Sequence, residues 1–464
     1  MSLMEASAVR RRFAVVGAVV LSAMMFTWVA LVNGYPLVFN DSARYLAGGI
    51  RHYIPSESPI GYGVFMIPFH LGGVSLWPVV GAQALILAYV IRVTLRTLGF
   101  FEERTFLLLS TFLAVFTAAP WFTSFIMPDF FTPICVLVMF VLFRGWERFV
   151  PLVKLFLIGL ALVALTSHVT HIVLGLALAA LFAALRLFSS RRRHSTALLV
   201  VLALPLVAFG TVIGMNLIAK GRPVITLDGP VFLLARSFAD GPSYEYMRDH
   251  CDERRWRLCT TYRTLSRDTQ SFLWNPNGSV WSVGSQNEVR SEAGEIVYGA
   301  IREHPGETLR AALGNALEQL VTFRAGVDFS SWSDANGGSA IASAIRLFFP
   351  REVGQYMSSL QQQGRLDAAV VNYVYSAVVV LSIIGTLVLL LVLRTRVDAS
   401  LAEFLLVVAV ALVVNAGATG ALSTVGERYQ ARIVWLAPLA FAISFLVYLR
   451  QRDARMALSA EATS

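Results

Sequence analysis

Carboxylates, arginines and histidines are sparse among the apolar runs of this chain, and outside its basic clusters and the long polar insert from about 219 to 366 they gather in a few short stretches. Tyr35 to Gly63 carries Asp41, Arg44, Tyr45, Arg51, His52, Tyr53 and Glu57 directly after the first apolar run. Further along come Asp129 in FIMPDFFT, His168 and His171 in TSHVTH, and Arg428 with Tyr429 in GERYQAR. Ionisable groups beside a bilayer are costly unless they are paired or in use. A carboxylate that deprotonates a hydroxyl, with cations that hold a departing phosphate, is what transfer from a phosphate-linked donor needs. On that reading Asp41 is the reactive carboxylate and Asp129 a second acid. Arg44, Tyr45, Arg51, His52, Glu57, His168, His171, Arg428 and Tyr429 form the substrate-binding set.

Each group also has a plainer role. Asp129 follows Pro128 at a helix start, where an N-cap is worth about 1 kcal/mol. His168 and His171 share a helix face and suit a metal or a phosphate, yet paired histidines also anchor helices at interfaces. Arg428 and Tyr429 read either as ligand contacts or as a snorkelling arginine beside an aromatic belt residue. Cys251 and Cys259 are spaced for a disulfide on an oxidising side, with two free thiols as the alternative; Cys135 lies in a span and packs. Trp256, Trp274, Trp281 and Trp332 suit sugar contact or core packing. Asp334, Asn336-Gly337-Gly338 and Asn277-Gly278-Ser279 read as turns. No HExxH, GxSxG, P-loop or dinucleotide fingerprint is present.

The elements that must position these groups are membrane helices. Of the 464 residues, 56% are hydrophobic and the mean hydropathy is +0.65, more apolar surface than a soluble chain buries. The net charge of +9 sits in short arginine clusters between apolar runs, which argues against a nucleic-acid partner. About ten spans are expected, near 13–32, 77–98, 105–119, 131–143, 152–167, 171–188, 196–218, 368–393, 402–422 and 432–449. The first lacks a small-residue cleavage site and reads as an uncleaved anchor. Arg10 to Arg12, Arg96 with Arg104, Arg144 with Arg148 and Lys154, Arg191 to Arg193, Arg394 with Arg396, and Arg450 to Arg455 all fall on one side, the cytoplasm by the positive-inside rule. Arg44, Arg51, Arg428 and Arg432 fall on the other.

The expected architecture is therefore an all-α polytopic membrane protein in three parts. Residues 1–218 form an N-terminal bundle with an outer catalytic loop at 33–76, and 219–366 a mostly helical extracytoplasmic domain between the seventh and eighth spans. Residues 367–464 supply the last spans and a cytoplasmic tail. Pro305 suits the first turn of a helix running to about Phe323, and Ile341 to Phe349 reads as an amphipathic segment in the interface.

An Asp just after the first span (FNDSARYLAGG), PIGYGVFMIPF behind it, a second outer Asp (MPDFF) and an Arg-Tyr before the last span (GERYQARIVWLAPL) together resemble the GT-C superfamily of membrane glycosyltransferases. The resemblance covers mainly the first 170 residues and the last outer turn. It implies an integral protein, of the bacterial inner membrane here, with both termini cytoplasmic. The implied activity moves a sugar, with inversion, from a polyprenyl-phosphate donor to an extracytoplasmic lipid, glycan or protein acceptor. Asp41 would be the base, Asp129 its positioner or a metal partner, and Arg428 the contact to donor phosphate flanked by Tyr429. No soluble cofactor is implied; a divalent metal is, but many members carry two adjacent acids where this chain has Asn40-Asp41, which weakens that case. The rival reading is a transporter or flippase for an amphiphilic substrate, which would place ionisable groups nearer mid-bilayer.

Overall fold

The computed structural model describes residues 3–187, 195–275, 278–326, 329–332, 339–393 and 397–461, with side chains described from Arg12 to Met456. Arg191 to Arg193, Asn277, Asp334, Asn336-Gly337-Gly338, Arg394 and Arg396 lie outside the described residues, and the side chains of Arg10 and Arg11 are likewise not described. The described chain is all-helical apart from an isolated parallel bridge between Leu37 and Phe125.

Among the described residues, seven helices are long and apolar enough to cross a membrane: Trp77–Thr97, Pro128–Arg148, Val169–Leu187, Ser195–Lys220, Ala369–Leu393, Ala399–Leu422 and Glu427–Met456. The other three expected spans are shorter. The first is interrupted at Thr27, leaving an apolar helix over Arg12–Phe26 and a separate turn over Trp28–Asn33. The third covers only Glu103–Phe116 and the fifth Pro151–Ser167. A straight crossing of the hydrocarbon takes roughly twenty residues; the third and fifth fall short of that, and the first, though its helix runs from Leu3 to Phe26, is apolar only over Arg12–Phe26.

Burial sorts the helices. The most apolar stretch of Pro128–Arg148 is 89% buried within the protein, whereas that of Ala369–Leu393 is 22% buried. The former is therefore the axis of the bundle, apolar on every side because every side meets protein, and the latter is rim, with most of its apolar surface left uncovered by the protein. Among the described residues, the basic clusters around Arg96, Arg144 with Arg148, and Arg450 meet at one end. Arg144 donates to the Ser400 hydroxyl, Arg148 to the Thr97 carbonyl and Arg450 to the Gly99 carbonyl.

At the opposite end the expected catalytic loop is ordered structure. Ser42–Arg51 and Gly61–Met66 are helices that cross where Gly49 meets Gly63; a Cβ on Gly49 would lie 2.8 Å from the Gly63 carbonyl oxygen. The glycines of YLAGGIR and IGYG thus allow backbone-to-backbone approach. A return segment pins this unit. The buried Glu352 accepts hydrogen bonds from the Tyr35 hydroxyl, the Ser75 hydroxyl and the Leu76 N–H. Gln361, also buried, donates to the Val38 carbonyl and accepts from its N–H.

The insert divides in two. Residues from Val231 to Ala300 have a core of their own, built around Phe238, Met247, Trp256, Leu258, Phe272 and Ile296. Ala325, Phe329, Ile341, Ile345, Phe349 and Tyr356 instead join the core of the bundle. Ala340–Phe348 is a helix as expected, but its apolar face is buried and it packs on Ser42–Arg51. Its amphipathicity matches protein, not lipid. Ser285 and Glu288 form a capping box at the start of Gln286–Glu303, and Pro305 opens Pro305–Val321. Trp256 and Trp281 belong to the separate core of the Val231 to Ala300 unit, Trp332 lies edge-on to Phe39, and Trp274 is half exposed.

Cys251 and Cys259 are joined in a disulfide that closes a loop of sequence separation 8. By loop-closure entropy a bridge this short stabilises by about 2.5 kcal/mol. Reduction with dithiothreitol should therefore lower the unfolding midpoint of the Val231 to Ala300 unit, and a Cys251→Ser, Cys259→Ser variant should match the reduced protein and lose its response to reductant.

Candidate functional site

The candidate residues from distant parts of the sequence meet at the end of the bundle away from the basic clusters. Asp129 lies in a single 3-10 turn, Pro128–Phe130, ahead of the axial helix and is fully buried. It caps no helix. Its Oδ1 instead lies 3.5 Å from Arg428 Nε and 3.4 Å from Arg432 Nη1. The two arginines stand one turn apart on Glu427–Val434 and so share a face.

Arg432 has no exposed surface. Its Nη2 donates to Asn415 Oδ1 at 3.0 Å and to Thr170 Oγ1 at 3.2 Å, while its buried Nε makes no hydrogen bond among the described residues. Asn415 in turn donates to the Tyr429 carbonyl and to Gln430 Oε1. The Arg428 guanidinium lies 4.5 Å from the Phe39 ring centre and 5.3 Å from that of Tyr429, which draws the segment ahead of Ser42–Arg51 onto the arginine helix.

The two histidines separate in role. His171 is buried with Nδ1 2.7 Å from the Ala164 carbonyl oxygen and Nε2 2.8 Å from Thr132 Oγ1. A carbonyl only accepts, so Nδ1 carries the proton and Nε2 accepts from the threonine. Both nitrogens are committed between helices. His168 Nδ1 accepts from the Thr170 N–H at 3.2 Å and lies 2.8 Å from its hydroxyl, which leaves the proton on Nε2. Burial, then Arg432, His171, Arg428 and Arg44, hold the His168 imidazole well below the usual histidine range. It is a neutral hydrogen-bond donor at physiological pH.

That shift makes stability depend on pH in a stated direction. The unfolded chain protonates His168 below about pH 6.5 and the folded one does not, so stability is fully present above that value and is lost as pH falls toward the folded pKa. The loss should have a slope of at most about 1.4 kcal/mol per pH unit. Unfolding midpoints from pH 7.5 to 5 should fall less steeply for His168→Asn than for the unaltered chain; parallel curves would contradict the assignment.

Asp41 stands at the start of Ser42–Arg51 without capping it, and its carboxylate pairs with Arg44 one turn on. A third of its side chain is exposed (33%), against 2% for Asp129. Arg44 also lies 3.9 Å from Glu57. Burial works against the Arg44 charge, but Asp41, Tyr45 and Glu57 outweigh it and its pKa moves up. Burial likewise raises Tyr45 and Tyr62, with Asp129 adding to both. Tyr45 therefore senses Asp41, Arg44 and Asp129 together, and its ring meets Tyr62 edge-on at 5.5 Å. Arg51 and His52 are not part of the cluster. They end their helix exposed, with Arg51 over the Phe348 ring and His52 in the left-handed region.

The donor set does not fit a divalent metal. Among the described residues no group of three or more His, Cys, Asp or Glu could hold one, and both acids are already engaged by guanidinium groups. Sequence reasoning placed Arg432 on the outer side but left it out of the site, together with Thr170, Asn415 and Tyr62. The four-residue spacing of Arg428 and Arg432 in ERYQAR was the available signal. Compared with known family models, curated proteins and solved structures, the chain matches none.

Proposed function

We propose that the protein is a membrane glycosyltransferase of GT-C type that moves a sugar from a polyprenyl-phosphate donor to an acceptor outside the cytoplasm. The observation that carries this reading is the convergence of an accessible carboxylate, Asp41, with the cations Arg44, Arg428 and Arg432 and the neutral donor His168 at one end of the bundle. Asp41 takes the proton of an acceptor hydroxyl, whose oxygen attacks the anomeric carbon as the bond to the carrier phosphate breaks. One displacement inverts the configuration.

The leaving phosphate gains negative charge as that bond breaks. Arg44, Arg428 and the His168 Nε2–H are the groups suited to hold it; preorganised donors of this kind commonly contribute a few kcal/mol each. Asp129 and Arg432 act behind Arg428, fixing its guanidinium, so Asp129 is a positioning residue. Asn40 stands where many superfamily members carry a second acid, and its side-chain oxygen accepts the Ala340 N–H at 3.1 Å. No metal step is included.

In this reading all ten expected segments cross the bilayer of a bacterial inner membrane, the short ones by sharing the crossing with neighbouring turns. Both termini face the cytoplasm and the insert lies outside. Impermeant maleimide added to intact cells should label Gln286→Cys and not Glu102→Cys; the reverse would overturn the orientation. For the activity, purified protein in lipid nanodiscs should release polyprenyl phosphate from a radiolabelled polyprenyl-phosphate sugar only when an acceptor fraction of the cell envelope is added. Movement of intact donor across a vesicle membrane without release would favour the flippase reading.

A further inference from the structure

The helix Pro305–Val321 has three sides with different surroundings. One side, including Thr308, Ala312, Asn315 and Gln319, is turned toward protein: the helix packs along Ala399–Leu422, and a Cβ on Gly420 would lie 2.5 Å from the Asn315 carbonyl oxygen. Asn315 Nδ2 lies 3.1 Å from both Asp240 carboxylate oxygens. Gln319 is fully buried and brackets Gly426, donating to its carbonyl at 2.9 Å and accepting its N–H at 2.8 Å. A second side holds Glu307, Gly314 and Glu318. The third carries Leu309, Leu313, Leu317 and Val321, one per turn, and these are 61%, 57%, 67% and 72% exposed.

A row of four large apolar side chains on a helix with a charged side is the pattern of a helix lying at a membrane surface. Its surroundings identify what covers it. The helix it packs on is a candidate span whose outer-end residue Leu422 is itself half exposed. Just beyond Val321, Ala325 exchanges hydrogen bonds with Asn372, and the neighbouring Val370 and Tyr373 of the rim span Ala369–Leu393 are 75% and 80% exposed. The apolar row therefore runs into the surface that the spans present to lipid.

We propose that Pro305–Val321 is an interfacial membrane helix whose Leu309, Leu313, Leu317 and Val321 sit among the lipid chains of the leaflet nearest the site. The two hydrogen bonds exchanged between Gln319 and Gly426 then tie a lipid-seated element to the residue that precedes the Glu427–Val434 helix, the one that carries Arg428 and Arg432. This holds whatever reaction the site performs.

The test is nitroxide scanning of the full-length protein in lipid nanodiscs. Single labels at Leu309→Cys, Leu313→Cys and Leu317→Cys should collide more often with oxygen than with a water-soluble nickel chelate, and labels at Glu307→Cys and Glu318→Cys should show the reverse. Cys135 is buried and Cys251 and Cys259 are bonded to each other, so the introduced thiol takes the label. Preferential nickel access at the three leucine positions would overturn the proposal by placing the row in water. Protection from both reagents with dipolar broadening between molecules would overturn it in favour of a second copy as the occupant.

Discussion

Asp41→Asn should lower the rate of sugar transfer by about 10²- to 10⁴-fold, the range a general base contributes, with little change in donor affinity. The substitution keeps the shape of the side chain and removes the proton acceptor. Asp41 is the accessible acid of the site, one third exposed and caught only by Arg44 one turn along its helix, so little of the fold depends on its charge. The unfolding midpoint should move by less than that of any variant at Asp129. The measurement is single-turnover transfer in nanodiscs beside a thermal unfolding curve. Full transfer by the folded variant would remove Asp41 from the role of base and with it the displacement mechanism.

Arg432→Met should cost about 3–5 kcal/mol of stability, as expected when one partner of a buried charge pair is removed. Arg432 is completely enclosed, and its guanidinium reaches Asp129, Asn415 and Thr170 at once. Without it the buried Asp129 keeps, among the described residues, Arg428 alone as an ion partner, and Asn415 Oδ1 loses the Arg432 donor. Adding Asp129→Asn should recover part of the loss, because a neutral pair replaces a half-compensated charge. If the single variant unfolds within 1 kcal/mol of the unaltered chain, or the double variant loses the sum of the two, the buried ion cluster is not what holds the arginine helix against the axial helix.

Legibility differed from residue to residue for physical reasons. Pro128 before Asp129 suggested an N-cap because the local pattern of a turn and a helix start is the same whether the acid bonds backward or across the bundle. The choice depended on Arg428 and Arg432, some three hundred positions later. His168 and His171 looked equivalent at their spacing, yet one lies at the end of Pro151–Ser167 and the other inside Val169–Leu187, where Ala164 and Thr132 take both of its nitrogens. Arg51 and His52 belong to the same polar stretch as Asp41 and Arg44, but the helix from Ser42 turns them off the site and ends at His52. The amphipathicity of Ile341 to Phe349 was correctly seen and assigned to the wrong medium, since a buried protein face and a lipid face ask for the same residues.

Apolar composition, the positions of seven long apolar helices, the helical character of the insert and the cysteine spacing follow from the sequence alone, because each depends on the solvent a segment meets or on neighbours within a turn or two. The tertiary structure decided the rest. It chose Asp129, Arg428 and Arg432 as one cluster, left Arg51 and His52 aside, made Pro128–Arg148 the buried axis and gave the insert two allegiances. Those outcomes depend on which helix faces meet across gaps of hundreds of residues, and hydrophobic patterning, which is blind to partner, does not encode that choice locally. Asp41 stands at the boundary between the two: its type and its place beside the membrane are written in the chain, and its company was supplied by the fold.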